Sequence, residues 1–122
     1  MSTTNSVILL TAATVDETTS EIVETGMLDD WSVTITVSAA TFTSGTITIE
    51  GSDDALYAGT WAPLATASEL AVVPNDAFSS VLATDMKLII SGADLAIEYI
   101  RVRVSDAIVG GATISATFWG RG

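Results

Sequence analysis

From Tyr99 onward the chain alternates. Ile100, Val102 and Val104 fall on one side of an extended backbone, and Arg101, Arg103 and Ser105 on the other. After Gly110-Gly111 the alternation restarts, with Ala112, Ile114, Ala116 and Phe118 opposed to Thr113, Ser115 and Thr117. A repeat of two is the period at which side chains switch faces of a strand, whereas a helix would scatter these residues around its surface. Two half-buried strands joined by a Gly-Gly hairpin turn are the expected result. Trp31–Ala39 carries the same rhythm. Trp31, Val33, Ile35, Val37 and Ala39 are placed inward, and Ser32, Thr34, Thr36 and Ser38 outward.

The rest of the chain offers further short strands between turn signals. Ser6–Ala13 has a near-continuous apolar centre, and Val15–Glu24 is mixed enough for an edge strand. Thr43-Ser44-Gly45 reads as a tight turn before a strand at Thr46–Gly51 with Ile47 and Ile49 inward. Trp31–Glu50 is therefore expected to form a hairpin. Thr60–Leu64 reads as a short strand around Trp61, closed by Pro63. Glu69–Val73, Val81–Ala83 and Met86–Ser91 supply further candidates. The sum is an all-β chain of about eight or nine short strands, an antiparallel β-sandwich, jelly-roll-like, with a closed barrel as the competing closure. Residues 1–6 are expected to form a flexible N-terminal arm, able to order on binding, and residues 7–122 a single domain.

Composition removes whole classes of chemistry. With no cysteine and no histidine, the chain lacks a thiolate, the commonest general base and the commonest zinc ligand. Fifteen acidic residues against four basic ones give a formal charge of −11, which disfavours nucleic acid and anionic membrane surfaces as partners. No apolar run approaches the ~20 residues of a membrane span. Val7–Leu10 is too short, and lacks a basic flank, to serve as an export-signal core. The chain is expected to fold in the cytosol where it is made.

Candidate sites each face a plainer reading. Asp29-Asp30, Asp53-Asp54 and Asp76 sit in loops without calcium-loop spacing, and aspartate is a common turn residue. Gly110-Gly111 lacks the pattern of a phosphate-binding loop. No catalytic, cofactor-binding or metal-binding residue is expected, and no enzyme. Trp31 is in phase with the core, and Trp61, beside Pro63, is ambiguous. Trp119 is out of phase with Phe118 and should face outward, either as a contact with another subunit or packed on a neighbouring loop. Arg101 and Arg103 lie on an outer face. Pairing across the sheet, with Glu50 or Asp106, is favoured over an inter-subunit salt bridge. Trp119, Arg121, Arg101 and Arg103 are the candidate residues for a contact with another protein or subunit, and Asp16–Glu24 is a candidate edge for subunit pairing.

Three motifs carry a family resemblance: Glu50-Gly51-Ser52-Asp53, Thr60-Trp61-Ala62-Pro63-Leu64, and Tyr99-Ile100-Arg101-Val102-Arg103-Val104 with its closing Gly turn. Over the C-terminal two-thirds, the chain resembles small β-sandwich virion proteins of tailed bacteriophages. The motifs mark turns and core positions, so the resemblance implies a fold first. It further implies a structural protein of a phage particle, most specifically a capsid decoration or cement protein. Such a protein would bind the major capsid protein on the outside of the head, as a dimer or trimer assembled in the host cytoplasm. A tail or baseplate component is one alternative. The other is a carbohydrate-binding module for host glycans, which would need Trp61 or Tyr57 exposed on a concave face.

Overall fold

The computed structural model describes residues 4–26, 28, 30–68, 78–91 and 97–121. They form nine strands: β1 (Thr4–Ala13), β2 (Val23–Glu24), β3 (Asp30–Val37), β4 (Ser44–Ser52), β5 (Ala62–Ser68), β6 (Phe78–Val81), β7 (Lys87–Ser91), β8 (Tyr99–Val109) and β9 (Ile114–Arg121). One sheet has the order β1-β9-β3-β7, the other β2-β8-β4-β5-β6. The two are a sandwich wound as a jelly roll. β1 pairs with β9, β2 with β8, β3 with β7 and β4 with β5, as in a long hairpin rolled around one core. Every pair is antiparallel except β5 with β6, which is parallel.

The apolar stripes read from the sequence meet inside. Val33, Ile35, Ile100, Val102, Val104, Ala112, Ile114 and Ala116 are each 0% exposed. Trp31 stacks on Phe118 with ring centroids 6.2 Å apart. In β1 the alternation breaks, because register shifts between Ile8 and Leu10 and between Leu10 and Ala13 insert extra residues. Such bulges turn the consecutive Leu9 and Leu10 both inward, which explains the unbroken apolar run there.

Several expectations are corrected. Trp31–Glu50 is not a hairpin, and neither are the two C-terminal strands: β3 and β9 lie in the first sheet, β4 and β8 in the second. Their apolar rows face each other across the core instead of lying side by side. Period two reports which face is buried, not which strand is the neighbour. Ala39 is exposed, beyond the end of β3. The Thr60–Leu64 strand is displaced: β5 begins after Trp61 and runs through Pro63, which sits opposite Glu50 at a register shift where the ladder tolerates a missing N–H. Thr4–Ser6, expected in the arm of residues 1–6, belong to β1 and pair with Trp119–Arg121, and residues 1–3 lie outside the described residues. Of Val15–Glu24 only Val23–Glu24 form a strand. Glu17–Ser20 nevertheless run along the same edge of β8, with Glu17 N–H donating to the Val104 carbonyl and Ser20 N–H to that of Val102. Asp30 belongs to β3, not to a turn. The Glu69–Val73 strand and Asp76 lie outside the described residues.

The Gly-Gly step has a different purpose from the one expected. Two of the sheet-to-sheet crossings, 38–43 and 110–113, meet at one end of the sandwich. Ala112 N–H donates to the Thr41 carbonyl at 2.9 Å, and Thr43 N–H to the Val109 carbonyl at 2.8 Å. Gly110 (φ +112°) is squeezed between them, where a Cβ would lie 2.7 Å from Thr41 O. Gly111 (φ +104°) has no neighbour within 4 Å of such a Cβ. Gly110→Ala is therefore expected to cost about 1–3 kcal/mol, and Gly111→Ala less, because only the first adds a clash to the backbone strain. Urea denaturation of the two variants checks the order.

Candidate functional site

The outer face of the first sheet is built by register. Ser6, Trp119, Ser32 and Ser91 form one row across β1, β9, β3 and β7, and Ile8, Thr117, Thr34 and Ile89 form the next. Beyond them Thr36 pairs with Ser115 and Lys87, and at the opposite end Arg121 pairs with Asp30. Trp119 is 43% exposed, Ile89 64% and Ile8 69%, so three large apolar side chains stand on a Ser/Thr lawn. Shallow recesses flank Trp119 on both sides, one towards Asp30 and Ser91, the other towards Thr34 and Ile89. Trp119 thus faces outward, as its phase predicts.

The charge on this face is unusual for the chain. Lys87 and Arg121 are here, and Asp30, ion-paired to Arg121, is the sole carboxylate among the described residues of these rows. The other described carboxylates are distributed over Asp16–Glu24 beside β8, the 52–61 loop, and positions 50, 85, 98 and 106. A protein of charge −11 repels most surfaces of its own sign, and the described residues of this sheet face add little to that repulsion.

The outer face of the second sheet is organised around a carboxylate. Glu50 is 2% exposed although it points away from the core. Its register partner is Arg101, and Arg103 lies two residues further along β8 on the same face. Arg101 Nε donates to Oε1 and Arg103 Nε to Oε2, each at 2.9 Å. Arg103 Nη1 also donates to Glu17 Oε1 at 2.9 Å. The Arg101 guanidinium lies 4.3 Å from the centre of the Trp61 ring, a cation–π contact. Burial by itself would lower the pKa of Arg103, but the hydrogen bond and charge of Glu50, and then those of Glu17, outweigh it and hold the group above its ordinary value. Beside the cluster, the Thr48 and Ser105 hydroxyls share a hydrogen bond of 2.8 Å.

The favoured expectation for Arg101 and Arg103, pairing across the sheet, is met, and with Glu50. Asp106 instead accepts from the Thr46 hydroxyl. Trp61 is 1% exposed, its Nε1 donating to the Tyr57 carbonyl at 3.0 Å, so it offers no platform to a ligand. Tyr57 is 52% exposed at the tip of the 52–61 loop. Sequence reasoning did not single out Ile8, Ile89 and Lys87. The signal was present in their phase, opposite the buried Leu9 and Ile90 and the partly buried Leu88, but an isolated exposed isoleucine is common and only the register gathers them around Trp119.

No protein-family model matches the chain, and no curated protein matches it in sequence. Among solved structures it is similar to the SPBc2 prophage-derived protein YomS, with a TM-score of 0.58 and 13% identity over 100% of this chain and 96% of that one. A subunit from Bacillus endospore appendages, described as disulfide-linked pili, aligns over 99% of this chain and 85% of that one at 12% identity, with a TM-score of 0.43. A cleaved adhesin domain of Lys-gingipain from Porphyromonas gingivalis aligns over 85% of this chain and 60% of that one at 11% identity, with a TM-score of 0.48. With the prophage-derived protein the chain shares a β-sandwich fold along its whole length.

Proposed function

We propose that the chain is a structural protein of a bacteriophage particle, most specifically a decoration or cement protein on the outside of the head. What supports this reading most is the likeness in fold to a prophage-derived protein that spans 100% of this chain. The contact with the major capsid protein is the outer face of the first sheet, centred on Trp119 with Ile8, Ile89, Lys87 and Arg121. It is apolar at its middle and low in negative charge among the described residues, as suits a protein-binding patch. Arg101 and Arg103 are not part of that contact in this reading, since Glu50 holds both. A dimer or trimer at a symmetry axis of the shell would let each copy bridge neighbouring capsid subunits, and binding the assembled shell alone stabilises it by mass action. Assembly takes place in the host cytoplasm.

Gold-labelled antibody on purified particles tests the location. Dense, regular labelling of the head is the expected result, and labelling confined to the tail would overturn it in favour of a tail or baseplate component. Particles lacking the protein should release their DNA at a lower temperature than complete ones. Equal release temperatures would remove the cement role.

A further inference from the structure

We propose that the outer face of the second sheet carries a binding site for a neutral saccharide, formed by Tyr57, Thr60 and Arg101 with Asp53 and Glu17 at its rim. This site lies on the side of the sandwich opposite Trp119 and does not depend on the particle-binding role.

Two recesses adjoin there and share Thr60. One, of about 320 Å³, is lined by Glu17, Thr19, Glu50, the 58–60 backbone segment, Arg101 and Arg103. The other, of about 410 Å³, is lined by Asp53, Tyr57, Trp61 and Ile97, with residues 51–52 and 62. Each lies in the range of roughly 300–1,000 Å³ usual for small-ligand sites.

The polar groups are fixed before any ligand arrives. Glu50 takes one Nε from each arginine, and Trp61 lies under Arg101. Arg101 makes no other hydrogen bond among the described residues, so its terminal amino groups are left to donate outward from a held position. The loop is braced as well. The Ser52 hydroxyl donates to the Asp54 carbonyl and accepts from the Asp54 N–H, and Asp54 Oδ1 accepts from Leu56 N–H. The ring of Tyr57 closes over Gly59, where a Cβ would stand 2.5 Å from the phenol oxygen, so only glycine lets the ring lie there. A donor set that loses little freedom on binding favours a weakly interacting ligand such as a sugar.

The charge balance selects the ligand class. Glu17 and Glu50 offset Arg101 and Arg103, so the cluster is neutral, while Asp53, Asp54 and the overall charge of −11 surround it with negative potential. Phosphate, sulfated sugars and uronic acids are repelled by that field. A neutral sugar is not. Each of its hydroxyls both donates and accepts, matching guanidinium donors beside carboxylate and hydroxyl acceptors, and the apolar face of its ring suits the half-exposed Tyr57.

The experiment is an NMR titration of the ¹⁵N-labelled protein with maltose, cellobiose, lactose, mannobiose and the N-acetylglucosamine dimer, and with a digalacturonate as the acidic control. The expected result is that at least one neutral disaccharide shifts the indole N–H signal of Trp61 and the amides of residues 57–60 while leaving Trp31 in place. Tyr57→Ala and Thr60→Ala should each weaken that binding roughly tenfold, the worth of one good contact. Trp119→Ala should leave it unchanged. No shift with any of the five neutral sugars, tighter binding of the digalacturonate, or loss of binding on Trp119→Ala would each overturn the proposal. None of these outcomes bears on head labelling, so the two readings fail separately.

Discussion

Glu50→Ala is expected to cost about 3–5 kcal/mol of folding stability, a large share of the roughly 5–15 kcal/mol that holds a domain together. The side chain holds two guanidiniums, and the side chains of Arg101 and Arg103 are only 22% and 23% exposed. Arginine does not give up its proton, so removing the carboxylate leaves two like charges on one strand face, two residues apart, in a partly dry setting, with the exposed Glu17 still paired to Arg103 but no counter-charge on Arg101. Arg101 would then have to leave the Trp61 ring to reach water. Glu50→Gln keeps the shape but loses the charge, and should cost less, about 1.5–3 kcal/mol. Arg121→Ala serves as the control, because its pair with Asp30 is 54% and 34% exposed and such surface pairs contribute at most about 1 kcal/mol. Urea denaturation with all three variants reads the order directly. Converting Glu50, Arg101 and Arg103 together to Leu, Met and Met should recover most of the loss, since a buried ion cluster replaced whole by apolar groups is often neutral. A Glu50→Ala cost no larger than that of Arg121→Ala would mean that the cluster is solvated and contributes little.

The second large effect concerns attachment. Trp119→Asp should weaken binding to the particle at least about 100-fold, the loss of a central aromatic anchor compounded by a new negative charge. Folding should weaken by only roughly 1–2 kcal/mol, the loss of a half-covered ring and of strand preference on the outer face, so the sandwich stays folded. Ile89→Asp, in the next row of the same face, should act in the same direction. Co-sedimentation of each purified variant with particles stripped of the protein measures it. Unchanged co-sedimentation for both would place the contact elsewhere.

Much of the face assignment was legible in the residues. Ile100, Val102 and Val104 against Arg101 and Arg103, and Phe118 against Trp119, emerge on the sides their period dictates. Which strand neighbours which was not legible. Gly110-Gly111 looks the same in sequence whether it turns a hairpin or crosses between sheets, and the choice rests on contacts with Thr41 and Thr43, far away along the chain. The Glu50 cluster was half visible, since a carboxylate opposite two arginines suggested pairing. Its burial was not, because the cover comes from Trp61 and the segment beside β8, which no local pattern joins to it. Trp61 illustrates the same limit: next to a proline and outside any clear stripe, it is 1% exposed because a guanidinium lies on it.

The winding order has a consequence for how the chain is made. β9 lies between β1 and β3, and among the described strands β1 has no other partner in its sheet. A ribosome delivers β1 first and β9 last. Until the residues up to Arg121 have emerged, the first sheet consists of a pair, β3 with β7, and a stranded β1, with the apolar side of the second sheet uncovered. Closure of the first sheet therefore waits for β9 and comes late in the folding of this sandwich. A pause or truncation within the final eight residues of β9 would release not a shorter sandwich but an open, aggregation-prone half.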